Sequence, residues 1–496
     1  MDRSVTPHLA RTPAQPAARP QRPSFHRVAR RALVAAAGFL VIALIIFFML
    51  PVWISNEQGR TYVLSHISKR INGSLVIRNW KLGWFRGTEI EDLTITLADG
   101  KQLLHCPRIE TDLTLWSLLW GNYDLGNTRI TSPRLTATRY VDGTNDFTRL
   151  LRPDTAGPNP LQSIRGNIVC EHGSVELSAQ NTATPIAITD VAAQIPIASH
   201  TAPIHFSASG TSTTAQLSKP VSITADLPAP VTWTENPTAM LANLSLSAES
   251  LPTATLAVWL GLDPRWQDSF GKILTKVAFE SRPDDVPERS VVRFHVYGPG
   301  SLKTRMQLEV LMRMLTHAGD IQLSPASSSE LPLNARLSLS APMVALLTRV
   351  NPVFASLERT GDPLEIQAGD LTIDADHPAT TTGTFYAMLP AMTFRQDALL
   401  KEILKDTGPA SPASTLTANS ALLKFTAADG RIAYTDLGLT LSNRQRLVFS
   451  GSVGFDESID LILTLTQVRS FGSATLQIPI KGTLAKPHLE NPAAPG

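Results

Sequence analysis

Apolar and polar residues alternate along most of the chain from residue 74 onward. This is the period of a β-strand that buries one face. The clearest runs cover residues 74–77, 93–97, 109–115, 174–179, 244–248, 335–339, 447–455, 459–465 and 476–484. The chain is therefore predicted to be mainly β.

Turn residues between these runs support hairpins. Asp99-Gly100, Asp142-Gly143 and Asp429-Gly430 each follow an alternating run, and Asp-Gly supplies the positive φ that tight hairpins need. Helical spacing is limited to a few short segments. These are residues 56–71, 254–262, 341–357 and 396–406.

The longest apolar run covers residues 32–54 and has no charged residue. At 1.5 Å per residue it reaches about 34 Å, enough for the ~30 Å hydrocarbon layer of a bilayer. Pro51 ends or kinks the helix, and Trp53 lies where an interfacial aromatic belongs. The run is too long for a signal peptide and has no small-residue cleavage site at its end, so an uncleaved transmembrane helix is predicted.

The charges that flank this run predict its orientation. Residues 1–31 carry seven arginines against a single acid, Asp2, and positively charged flanks stay in the cytoplasm. This proline-rich arm is expected to be disordered. Residue 55 onward is then periplasmic, which predicts a single-pass inner-membrane protein of a two-membrane bacterium.

Composition narrows the function classes. The net charge of +2 owes much to the basic arm, so the exported part is nearly neutral and no nucleic-acid partner is expected. The only two cysteines, Cys106 and Cys170, exclude a disulfide scaffold. One bridge between them and two separate thiols both remain open, because sequence does not give the distance between their Cα atoms.

The strands have one oily face and one face of serine and threonine, as in residues 335–340 and 461–466. The oily face must be covered by a second sheet, by helices or by something that is not protein. Because few helices are predicted, the choices are a sandwich, a barrel, or a sheet curved around an apolar ligand.

Several segments, in this order along the chain, resemble AsmA-like proteins. The N-terminal ones are the single anchor, Ile71-Asn-Gly, Ile90-Glu-Asp-Leu-Thr-Ile, Leu115-Trp-Ser-Leu-Leu-Trp-Gly and Ile130-Thr-Ser-Pro. The C-terminal ones are Leu423-Lys-Phe-Thr-Ala-Ala-Asp-Gly-Arg-Ile, Leu437-Gly-Leu-Thr-Leu, Phe449-Ser-Gly-Ser-Val-Gly-Phe, Ile459-Asp-Leu and Ile480-Lys-Gly-Thr-Leu-Ala-Lys-Pro. The resemblance covers roughly residues 32–140 and 331–490 and leaves the middle unmatched.

The resemblance implies an elongated, curved antiparallel β-sheet whose concave face is apolar, anchored in the inner membrane. AsmA-like proteins and the chorein-type bridge proteins related to them are thought to move phospholipids between membranes or to influence outer-membrane assembly. About 25 strands would give a groove on the order of 120 Å. Two functions follow: phospholipid binding or transfer in envelope homeostasis, and assembly of outer-membrane proteins through protein contacts.

The predicted organisation has five parts. They are a disordered cytoplasmic arm (1–31), a transmembrane helix (32–54), an N-terminal AsmA-like β region (55–155), a middle β region (156–330) and an AsmA-like C-terminal domain (331–490). The candidate lipid-groove residues are Leu461, Leu463, Leu465, Leu476, Ile478 and Ile480. If these line an open groove, Leu463→Asp is expected to weaken lipid binding without unfolding the protein.

No catalytic activity, cofactor or metal is predicted. The chain has no G-x-S-x-G, H-E-x-x-H, P-loop, G-x-G-x-x-G or C-x-x-C motif. Asp374, Asp376 and His377 have metal-ligating side chains, but they follow a strand where a polar turn is expected, so a turn is favoured.

Five of the eight tryptophans lie in the first quarter of the chain. They are Trp53, Trp80, Trp84, Trp116 and Trp120. Two interpretations remain open. Ordinary packing of the first sheet explains them, and so does a lipid-entry zone at the membrane surface.

Overall fold

The structure is a computed structural model that describes residues 49–490 with short gaps. The gaps are residues 52, 69–70, 123, 151–164, 200, 215–216, 230–242, 285–288, 302–303, 318–319, 328–330, 361, 375–376, 397, 406–414, 443 and 470–471. The predicted cytoplasmic arm and residues 32–48 and 52 of the predicted transmembrane helix lie outside the described residues. Among the described residues, no helix combines the length and apolar character needed to span a membrane.

The described residues form a mainly β fold, as predicted. The strands of the first half are β1 (Gly73–Lys81), β2 (Thr88–Leu97), β3 (Gln102–Thr111), β4 (Asp124–Thr131), β5 (Arg134–Arg139), β6 (Arg165–Ala179), β7 (Ile186–Ile197), β8 (Ile204–Thr214), β9 (Leu217–Leu227), β10 (Leu244–Ala248), β11 (Leu251–Pro252), β12 (Ile273–Leu274), β13 (Lys276–Pro283) and β14 (Arg289–Tyr297). The remaining strands are β15 (Gln307–His317), β16 (Asp320–Pro325), β17 (Leu333–Leu337), β18 (Leu357–Thr360), β19 (Leu364–Asp374), β20 (Thr382–Leu389), β21 (Met392–Arg395), β22 (Thr415–Ala418), β23 (Ala421–Ala428), β24 (Arg431–Thr440), β25 (Arg446–Gly454), β26 (Ser458–Arg469), β27 (Gly472–Thr483) and β28 (Lys486–Leu489).

One sheet contains 23 of these strands. They pair almost in chain order, from β1 with β2 to β27 with β28, and nearly all pairs are antiparallel. The exception is β6, which runs parallel to β4 and β5. The sheet continues without a break across the predicted boundary at residue 331, because β15 pairs with β17 and β17 with β19.

A line of bends crosses the first strands of the sheet. Asp92, Ser132, His172 and Asp190 all have positive φ although none is glycine. Ser132 lies between β4 and β5, which pair with the same two neighbours, β3 and β6. The positive φ at these four residues bends the strands, which would otherwise run straight along their neighbours.

The helices are short. Each of the four predicted segments contains a helix, but the segment 341–357 is divided between a helix that ends at Val350 and a 3-10 helix that begins at Pro352. The helices in these segments are Glu57–Ser68, Thr253–Trp259, Ala341–Val350 and Ala398–Lys405. Three further helices are Leu115–Leu119, Asp146–Leu150 and Gln267–Phe270, and 3-10 helices cover Pro264–Trp266, Pro352–Ser356 and Pro378–Thr380.

Two local predictions differ from the structure. The strand expected over residues 109–115 ends at Thr111, because the Thr114 hydroxyl accepts a hydrogen bond from the Ser117 backbone N–H and starts a helix at Leu115. Asp142-Gly143 forms a tight turn closed by an antiparallel bridge between Arg139 and Asn145, but the hairpin ends there and the helix Asp146–Leu150 follows. The buried Asp146 at the start of that helix accepts hydrogen bonds from the Thr138 backbone N–H (2.7 Å) and the Tyr140 hydroxyl (2.8 Å).

The largest core lies in the C-terminal region. There the inner face of β24 to β27 packs in one cluster with the helix Ala398–Lys405, the 3-10 helix Pro352–Ser356 and a separate sheet of β18, β21 and β22. Phe354 and Phe394 meet with ring centroids 6.3 Å apart. The Asn351 side chain donates to the hydroxyl of Tyr434 (2.8 Å), and burial raises the pKa of that tyrosine. At this end of the sheet, the apolar face is therefore covered by the helices and the small sheet named above.

Candidate functional site

A continuous row of apolar side chains crosses sixteen strands of the sheet, from β1 to β23. Each member lies directly opposite the next across a strand pair, so all of them point to the same face. In order, the row is Trp80, Ile90, Ile109, Ile130, Cys170, Ala193, Ala208, Ile223, Leu246, Phe279, Phe294, Val310, Leu333, Ala368, Phe385 and Phe425. At ~4.8 Å per strand it extends about 70 Å. We call it the apolar row.

The apolar row is less completely covered than a core, although several of its members pack against buried clusters, among them Phe294, Leu333 and Phe425. Within it only Trp80 and Ala368 are buried, and the other fourteen side chains stay partly exposed. On one side it is flanked by buried residues of the same strands, among them Val277 and Val296, which belong to one cluster with Phe270 and Met343 of the neighbouring helices. On its other side Val292 and Met312 are buried as well. On β13, β14 and β15 the row therefore lies between two lines of buried side chains.

The opposite face of the same strands is mostly polar. On ten strands from β3 to β15, the residue next to each row member in the chain points to this opposite face. These residues also lie opposite one another across the strand pairs, in the order Glu110, Arg129, Val169, Gln194, Ser207, Thr224, Ser245, Glu280, Arg293 and Leu311. Eight of these ten side chains are polar or charged, which is what a water-facing surface requires. Over these ten strands the continuous apolar row is thus confined to one face. A contiguous, partly exposed apolar row of this kind is a candidate interaction site.

The apolar row ends in a cavity of about 690 Å³. Its walls include Leu333, Phe385 and Phe425 of the row, together with Leu346 and Leu347 of the helix Ala341–Val350. Phe385 and Phe425 stack with centroids 4.9 Å apart. The volume lies within the range of small-molecule sites, and the walls offer apolar contact with few polar groups.

At its other end the apolar row touches the last residues of the predicted transmembrane helix. The indole N–H of Trp80 donates to the Ile54 carbonyl (2.9 Å). The Leu82 backbone N–H donates to the Ser55 hydroxyl (3.3 Å). The first strand and the end of the apolar segment 32–54 are therefore fixed to each other.

The predicted lipid-groove residues lie elsewhere, inside the C-terminal core. Leu461, Leu463, Leu465 and Ile480 are 0% exposed, Ile478 is 3% exposed and Leu476 is partly buried against the same cluster. Leu463 pairs with Phe449 and Ile478 across the sheet. A ligand could reach these side chains only if the covering elements moved away. The site described here therefore does not include them.

The structure places the candidate metal ligands in a turn. The Asp374 carboxylate accepts a hydrogen bond from the His377 backbone N–H (3.0 Å), and the 3-10 helix Pro378–Thr380 follows. Asp376 lies outside the described residues. In the part of the chain that the structure describes, no group of three His, Cys, Asp or Glu side chains could hold a metal ion.

Cys106 and Cys170 are both free thiols. They lie on β3 and β6, with β4 and β5 between them, so two strand spacings of ~4.8 Å separate their backbones, beyond the ~7 Å limit for a disulfide. Burial raises the pKa of both thiols. Of the two alternatives, the structure has separate thiols.

Comparison of the chain with protein families, with curated proteins and with solved structures found no match. The resemblance to AsmA-like proteins therefore stays a prediction that rests on the segments quoted above.

Proposed function

We propose that this protein is a membrane-anchored periplasmic lipid-binding protein of the AsmA-like type, which carries phospholipid acyl chains along the apolar row. One observation supports this most strongly. Sixteen apolar side chains, fourteen of them partly exposed, follow one another without a polar interruption, from Trp80 beside Ile54 to a cavity of about 690 Å³. In this proposal the segment 32–54 spans the inner membrane and the groove begins at its surface.

The energetics suit an acyl chain. A chain of 16 carbons gains roughly 13 kcal/mol on leaving water, at ~0.8 kcal/mol per CH₂. An apolar side chain lies in the row on each of the sixteen strands, most often isoleucine, leucine or phenylalanine, and contributes to this gain with no specific polar contact. The lipid can therefore move from strand to strand without breaking hydrogen bonds, while its headgroup stays in water at the groove opening.

Lipid transfer between vesicles tests the proposal. The full chain is inserted in donor vesicles that contain a fluorescent phosphatidylethanolamine, and arrival of this lipid in acceptor vesicles is followed over time. We expect transfer several times faster than from the same vesicles after protease has removed the exposed part of the chain. Equal rates before and after proteolysis contradict lipid transfer and favour the alternative, an assembly factor that acts through protein contacts.

A further inference from the structure

Exposed aromatic and leucine side chains gather at the end of the sheet where the apolar row begins. Phe85 is 74% exposed, Trp116 42%, Leu119 58% and Trp120 72%. We call these four residues the aromatic patch. Contiguous large apolar side chains are normally withdrawn from water, so four exposed ones on the β1–β2 loop and the short helix Leu115–Leu119 with its C-cap indicate a surface that something covers.

The aromatic patch is ordered by its own contacts. Trp116 packs at 5.7 Å from Trp120, 6.3 Å from Phe85 and 6.2 Å, edge to face, from the buried Trp84. The Leu115 backbone N–H donates to the Gly83 carbonyl (3.0 Å), which joins the helix to the β1–β2 loop. The exposed rings are therefore held in place by packing against the buried Trp84 and by the hydrogen bond between Leu115 and Gly83.

Its position relative to the predicted membrane span identifies what covers it. Leu82, whose backbone N–H bonds to Ser55, is three residues from Phe85, a reach of about 10 Å at most. Trp53, on the last turn before Ser55, is itself 52% exposed. The patch thus lies beside the point where the apolar segment 32–54 ends.

The composition of these two segments fits the headgroup layer of a bilayer. Residues 113–122 contain two tryptophans, four leucines and no charged residue. Tryptophan prefers this layer because its ring is apolar and its N–H is polar. The one charge in the β1–β2 loop is the exposed Arg86, whose head can reach lipid phosphates while the neighbouring Phe85 enters the apolar layer.

From this arrangement we infer that the aromatic patch inserts into the periplasmic leaflet of the membrane that holds the anchor. The patch would seat β1 and β2 on the bilayer surface. The opening of the apolar row at Trp80 would then face lipid rather than water. This inference rests on the proposed membrane attachment and adds the residues that contact the leaflet.

Site-specific fluorescence tests the insertion in the full chain. Leu119→Cys and Trp120→Cys are each labelled with an environment-sensitive NBD maleimide, and the chain is reconstituted in phosphatidylcholine vesicles with or without brominated acyl chains. Leu422→Cys is the matched control, because Leu422 is 57% exposed but lies on β23 at the far end of the apolar row. Labelling of the unchanged chain corrects for Cys106 and Cys170.

We expect blue-shifted emission and strong quenching by brominated lipid at positions 119 and 120, with water-like emission and little quenching at 422. Water-like emission at all three positions overturns the insertion. In that case a lipid transfer rate that still depends on the exposed part of the chain leaves the groove proposal standing. The experiments can therefore contradict the insertion of the aromatic patch and the lipid-binding groove independently of each other.

Discussion

Leu463→Asp is expected to unfold the C-terminal region. Leu463 is 0% exposed and packs between Phe449 and Ile478, so the new carboxylate has neither water nor a charge partner. The lost packing and the buried charge together cost at least about 5 kcal/mol, comparable to the stability of a whole domain. This reverses the expectation from sequence, which placed Leu463 in an open groove.

Thermal melting of the full chain, followed by circular dichroism, measures the effect. Ile462→Asp is the control, because Ile462 is on the same strand but 41% exposed on the other face. We expect the Leu463 variant to lose the melting transition of the C-terminal region and the Ile462 variant to keep it. A Leu463 variant that melts like its control would show that this face is open to water.

Leu246→Asp is expected to remove most of the bound phospholipid while the fold is kept. Leu246 lies near the middle of the apolar row between Ile223 and Phe279 and is partly exposed, so a carboxylate there keeps some water. An acyl chain that passes this strand would have to desolvate the charge. The groove would therefore be interrupted at β10.

The phospholipid that copurifies with the full chain in detergent can be counted by mass spectrometry. Ser245→Asp carries the same charge on the same strand, but on the polar face. Lipid held around the transmembrane helix contributes equally to both variants, so their difference reports the groove. Equal lipid content in the two variants would count against the apolar row as the binding site.

Local sequence signals account for much of the fold. Alternation and the Asp-Gly pairs predict the strands and two hairpins, since these depend on neighbours along the chain. These local signals do not predict which apolar strand faces are covered by other elements of the fold. Residues 244–248 and 461–465 have the same leucine alternation, yet Leu246 is partly exposed and Leu463 is in the core, because the helix Ala398–Lys405 and the small sheet fold back only over the second.

The apolar row could not be predicted from sequence because it depends on strand register. Shifting one strand by a single residue would turn its side chains to the other face. Here the register is adjusted by bends at Asp92, His172 and Asp190. Asp and His are enriched at positive φ, but most of them adopt negative φ, so their presence in a sequence does not mark such a bend. Two members of the aromatic patch, Trp116 and Trp120, belong to the tryptophan cluster of the sequence. Phe85, Leu119 and the exposure of all four side chains are found only in the structure.

Photo-crosslinking in living cells tests whether phospholipid occupies the apolar row. A photoreactive amino acid is placed in the full chain at Phe279 or Val310 of the row, or at the neighbouring Glu280 or Leu311 on the opposite face. Cells are grown with radioactive phosphate and irradiated, and the denatured chain is examined for attached phospholipid. We expect label at positions 279 and 310 and background at 280 and 311. Equal label on both faces, or background at all four positions, would contradict this occupancy.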